Sequence, residues 1–184
     1  MRSIPNLLSG LRLILTPFIA AAILGHRFRD GVWLLFIAGW TDFFDGRLAR
    51  RYDWHSKLGA VLDPIADKAL LVTVYVCLAQ AGAMPWWLAG MVLGRDVLIV
   101  LMAVYALLFS TLRGFPPSFW GKLSTAIQIV TGVTHLVHAA ELVGGLATVC
   151  VVLQGLAAAG TAISGADYFY HGLLRLRASR AGGD

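Results

Sequence analysis

Roughly six stretches of about 20 mainly apolar residues follow one another with only short polar breaks, and this succession limits the fold more than any other feature. The stretches run from Ile4 to Leu24, Gly31 to about Arg51, Lys57 to about Leu78, Pro85 to near Ser110, Phe119 to about Val137, and Leu146 to about Leu173. Hydrocarbon offers the backbone no hydrogen-bond partner, so apolar segments of this length are expected as helices that satisfy their own N–H and C=O groups. With 58% hydrophobic residues, the 184-residue chain is too apolar for one water-soluble domain. The expected fold is all-α: an integral membrane bundle of six transmembrane helices forming a single domain over residues 1–184. Arg2, the apolar run and Ala20–Ala22 have the look of a signal peptide, but the run is too long for one and reads as a retained first span.

Charge sets the orientation. Arg2, Arg50, Arg51, Lys57, Arg113, Arg175, Arg177 and Arg180 fall on one side of such a bundle, against Arg27 and Arg29 on the other, which places the N-terminus in the cytoplasm. A bacterial inner membrane is the expected location, with the mitochondrial inner membrane, its matrix replacing the cytoplasm, as the alternative. The net charge of +5 sits mostly at span ends, so anionic phospholipid rather than nucleic acid is the expected partner. Cys77 and Cys150 lie in separate apolar stretches without metal-ligand spacing and read as core thiols.

The chemistry concentrates between Asp42 and Lys68, in DFFDGRLARRYDWHSKLGAVLDPIADK. Its pattern is Asp42-x2-Asp45-Gly46-x2-Ala49-Arg50-x8-Gly59-x3-Asp63-x3-Asp67. At helical spacing, Asp42, Asp45, Gly46, Ala49 and Arg50 share one stripe, and Gly59, Asp63 and Asp67 share another. Four carboxylates meeting in an apolar setting repel unless divalent cations neutralise them. The small residues let a second helix or a flat ligand approach the backbone, and Arg50 adds a cationic fork suited to phosphate. Such a set suits metal-dependent phosphoryl transfer near the cytoplasmic face. Arg12, on the first span, reads either as an arginine snorkelling to the headgroups or as an inward cation beside the aspartates.

This stretch resembles the signature of the CDP-alcohol phosphatidyltransferase family at all eight fixed positions. The resemblance implies six transmembrane helices, a homodimer, two Mg2+ or Mn2+ ions, and transfer of a phosphatidyl group from CDP-diacylglycerol to an alcohol with release of CMP. Carried onto this chain, Asp42, Asp45, Asp63 and Asp67 hold metal, and Asp67 is also the general base. Asp45, Gly46, Ala49, Arg50 and Gly59, with Asn6 and Ser9 of the first span, line the nucleotide site.

Outside the signature, IPNLLSGLR, Gly94-Arg95-Asp96-Val97 and SFWGKLSTAIQI are similar to the cardiolipin synthase and phosphatidylglycerophosphate synthase branches. Glycerol-3-phosphate is dianionic and calls for several cations; phosphatidylglycerol is a singly charged diester with a free hydroxyl. Synthases for the former typically carry Arg-Glu in the fourth span and a second arginine eight residues on, where this chain has Arg95-Asp96 and Ala103. Phosphatidylglycerol is therefore the expected acceptor and glycerol-3-phosphate the alternative. Arg95, Lys122 and Arg12 are the expected ligands of acceptor or lipid phosphate, although Arg95 also has Asp96 as a ready partner. His135, His138 and Glu141, at three-residue steps, are expected as a polar outer rim, and Phe43, Phe44, Tyr168, Phe169 and Tyr170 as lipid-facing or interfacial packing.

A transporter would need paired carboxylates at the midplane on broken helices, whereas these lie toward one face. The intramembrane aromatic prenyltransferases use two distant aspartate-rich helices in a longer bundle. A lipid-binding scaffold has no need of all four carboxylates.

Overall fold

The computed structural model describes the backbone of residues 4–52, 59–109 and 119–181, and the side chains of residues 10–41, 65–101 and 119–169. Among the described residues the chain is all helical: α1 (Ile4–Leu24), α2 (Phe28–Tyr52), α3 (Gly59–Gln80), α4 (Trp86–Phe109), α5 (Phe119–Ala139) and α6 (Leu146–Ala181). Pro5 sits in the first turn of α1, where its missing N–H costs nothing. α6 runs past Leu173 because its basic end, RLRASRA, contains no helix breaker.

The turns after α1, α3 and α5 share one stop. Each has a residue in the left-handed region: His26 (φ 55°), Gly82 (φ 73°) and Glu141 (φ 53°). The next N–H in each case reaches back five residues: Arg27 to Ala22 O at 2.8 Å, Ala83 to Leu78 O at 2.9 Å, and Leu142 to Val137 O at 3.4 Å. This is the Schellman closure, which satisfies carbonyls that the helix leaves unpaired. Glu141 thus ends a helix. His135, expected on an outer rim, is instead buried, while His138 and Glu141 are exposed.

Contacts divide the chain into two compact units, residues 1–86 with 132–146, and residues 87–131 with 147–184. In the first, α2 and α3 both pack on α1. Gly31 admits the side chains of Ile23 and Leu136, and Gly132 lies against the Tyr75 ring, where a Cβ would come within 3.2 Å of ring carbon Cε2. In the second, Gly160 of α6 rests against Ser124 and Ile127 of α5.

The distribution of polarity is the reverse of a water-soluble protein's. Arg12, Thr16, Asp96, Ser124, Gln128, Thr131, His135, Thr161 and Ser164 are buried, while Phe18, Trp33, Phe36, Trp40, Leu101 and Val151 are more than half exposed. Val32, Leu35, Phe36, Gly39 and Trp40 of α2 and Val133, Leu136 and Val137 of α5 line an open apolar groove of about 660 Å³. By length and composition one helix among the described residues, Leu146–Phe169, is able to cross a membrane, with mean hydropathy 1.9; Gly10–Leu24 is a shorter apolar helix.

Candidate active site

The aspartate pattern divides between two helices. The last turns of α2 carry Asp42, Asp45, Gly46, Ala49 and Arg50, and the first turns of α3 carry Gly59, Asp63 and Asp67. Backbone helicity at both places supports the spacing argument, because residues three and four apart project from one face. The side chains of Asn6, Ser9, Asp42, Asp45, Gly46, Ala49, Arg50, Gly59 and Asp63 lie outside the described residues, as do residues 53–58 between the helices. Among the described residues no three His, Cys, Asp or Glu side chains group together.

Asp67 is the signature carboxylate whose side chain is described. It is 59% exposed and forms an ion pair with Arg12 of α1, whose side chain is 4% exposed. Of the two readings of Arg12, the structure shows the inward cation. Leu13, Ile14 and Phe18 occupy the outer face of α1, and the guanidinium, placed by sequence on a lipid phosphate, is engaged with Asp67. Thr16 Oγ1 donates to Arg12 O at 2.8 Å, one residue before Pro17, which has no N–H to give to the carbonyl of Leu13.

Arg95 is held within the second unit. Its Nη1 donates to Asp96 Oδ1 at 3.0 Å and its Nη2 to Ser164 Oγ at 2.7 Å. The guanidinium lies over Tyr168, 5.7 Å from the ring centroid. Gly121 makes room for this layer: a Cβ there would stand 3.1 Å from Tyr168 and 3.3 Å from Arg95. Tyr168, expected at the periphery, is therefore part of the packing, while Phe169 is exposed. A second layer follows, in which Gln128 Nε2 donates to Thr161 Oγ1 at 2.9 Å and to Ser124 Oγ at 3.3 Å. Sequence reasoning singled out Arg95 and Lys122 but missed Ser124, Thr161 and Ser164. The signal was present, because Gly121, Ser124, Gln128 and Thr131 recur at the three- and four-residue steps of one helix face. Lys122 is exposed.

Arg95→Ala is expected to destabilise the protein by about 3–5 kcal/mol, since it leaves Asp96 buried without its ion-pair partner. Thermal unfolding in detergent measures this, and the double variant Arg95→Ala/Asp96→Ala should recover part of the loss.

Comparison with known proteins places the chain among relatives. The family model for CDP-alcohol phosphatidyltransferase matches residues 2–161. A probable phosphatidylglycerophosphate synthase of Mycobacterium tuberculosis is 34% identical over 174 residues, 90% of this chain and 79% of the relative. A putative cardiolipin synthase of Mycobacterium bovis is 38% identical over 125 residues, 67% of this chain and 59% of the relative. The cardiolipin synthase (CMP-forming) of Rattus norvegicus is 34% identical over 145 residues, 70% of this chain and 48% of the relative.

Proposed function

The chain belongs to the CDP-alcohol phosphatidyltransferase family, and from that premise we propose that it moves the phosphatidyl group of CDP-diacylglycerol to the hydroxyl of phosphatidylglycerol, forming cardiolipin and releasing CMP. The observation that carries the reaction is the full signature distributed over the end of α2 and the start of α3, both packed on the helix whose Arg12 meets Asp67.

The donor set fits the ions that this chemistry uses. Asp42, Asp45, Asp63 and Asp67 are hard oxygen donors, and the exposed carboxylate of Asp67 has room for a ligand. These four would hold two Mg2+ or Mn2+ ions, which when bound offset negative charge on the diphosphate and on the departing CMP. On this reading Gly46, Ala49 and Gly59 would leave space for the cytidine nucleotide, Arg50 would bind its phosphates, and Asn6 and Ser9 would complete the site. Asp67 accepts the proton of the acceptor hydroxyl as that oxygen bonds to the β-phosphorus. The bond from this phosphorus to the oxygen it shares with CMP breaks, and the electron pair leaves with CMP.

Arg95 bears on the choice of acceptor. A dianionic phosphate monoester needs several uncommitted cations, and Arg95 is committed to Asp96, Ser164 and Tyr168. A singly charged diester makes a smaller demand on cations. The second reading, a phosphatidylglycerophosphate synthase acting on glycerol-3-phosphate, is favoured by the long match to the mycobacterial relative of that name. Six membrane-spanning helices are part of the proposal, supported by outward apolar and inward polar side chains and by helices of 21 residues or more, each at least ~31 Å long against ~30 Å of hydrocarbon. So are a homodimer and a cytoplasmic or matrix-facing site.

The test is purified protein with labelled CDP-diacylglycerol, Mg2+ or Mn2+, and each alcohol in turn. CMP release with phosphatidylglycerol is expected. Release only with glycerol-3-phosphate overturns the acceptor, and absence of CMP release with every alcohol overturns the reaction.

A further inference from the structure

We infer that Arg12 is a positioning residue of this reaction, holding the Asp67 carboxylate for proton transfer, and that it does not bind a substrate phosphate. The inference rests on the reading of Asp67 as general base.

Three observations support it. Arg12 is buried on a helix whose neighbouring side chains Leu13, Ile14 and Phe18 face outward, so its charge needs a partner inside the protein. That partner is Asp67, the last carboxylate of the signature and an exposed one. The α1 turn itself is secured by the Thr16 hydroxyl on the Arg12 carbonyl.

The chemistry of the pair explains why an arginine suits this place. A base that rotates away from the acceptor hydroxyl is useless whatever its basicity. A guanidinium opposite Asp67 fixes the carboxylate in orientation, since its planar fork constrains direction as well as distance. A guanidinium only donates hydrogen bonds, so it leaves the Asp67 carboxylate as the acceptor. A lysine keeps the charge and loses the fork.

The experiment combines kinetics with unfolding of the purified protein. Arg12→Gln is expected to lower kcat ~10²-fold, the scale of a misplaced reacting group, with KM for CDP-diacylglycerol and for the acceptor nearly unchanged. Arg12→Lys should recover part of the rate. A raised KM with kcat preserved overturns the inference and makes Arg12 a phosphate ligand. Independently of turnover, thermal unfolding in detergent with EDTA is compared for Arg12→Gln, Asp67→Asn and the double variant. The double variant should be little worse than the more damaged single one, and additive losses overturn the pairing. If Arg12→Gln cannot be purified, Arg12→Lys decides alone: a lowered kcat at constant KM supports the inference, and a wild-type kcat overturns it. Failure of the wild type to release CMP would condemn the proposed reaction instead, and the unfolding cycle would still support or overturn the pairing by itself.

Discussion

Asp67→Asn is expected to reduce CMP release by ~10²–10⁴-fold, the usual contribution of a positioned general base, while CMP binding stays within a few-fold of wild type. An amide is nearly isosteric with the carboxylate but does not accept the hydroxyl proton at neutral pH. Asn also weakens the hold on Arg12, so some stability is lost as well. That loss should fall below the ~3–5 kcal/mol typical of breaking a fully buried pair, because solvent reaches the exposed Asp67. Turnover assays with labelled CDP-diacylglycerol, CMP-binding calorimetry and thermal unfolding separate the three effects. A near-normal rate would remove Asp67 from its role, and loss of CMP binding together with rate would make it a structural or nucleotide residue.

Removal of divalent metal is expected to be as severe. Chelation with EDTA should lower turnover by ~10³-fold or more, since charge stabilisation worth several kcal/mol corresponds to that factor. Mg2+ or Mn2+ should restore it, because both accept a hard oxygen donor set. Asp45→Asn should raise the Mg2+ concentration needed for half-maximal rate. Titration of activity against free metal is the measurement, and undiminished turnover in EDTA would rule out a metal role for the four aspartates.

Much of the architecture was legible in the chain. The first helix, Ile4–Leu24, has the bounds that its apolar run and Pro5 indicate, and α5 begins at Phe119 as expected. Helix ends were less legible. α2 starts at Phe28 rather than Gly31, because the left-handed residue that stops α1 is His26, and histidine does not announce such a turn as glycine does. The carboxylate-bearing faces were readable because residues three and four apart on one helix share a face whatever surrounds it.

By itself the sequence determined the helical class, the order of the helices and the eight signature positions on α2 and α3, since each depends on local periodicity and composition. Tertiary structure decided which charges meet. Arg12 and Asp67 are 55 positions apart in the chain and Arg95 and Ser164 are 69 apart, so no local spacing relates them. Their pairing follows from burial, which makes an inward cation take whatever anion or hydroxyl the neighbouring helix presents at the same depth. For that reason the aspartates could be read from the chain as a site, whereas the partners of Arg12 and Arg95, and with them the arguments for positioning and acceptor, required the packed helices.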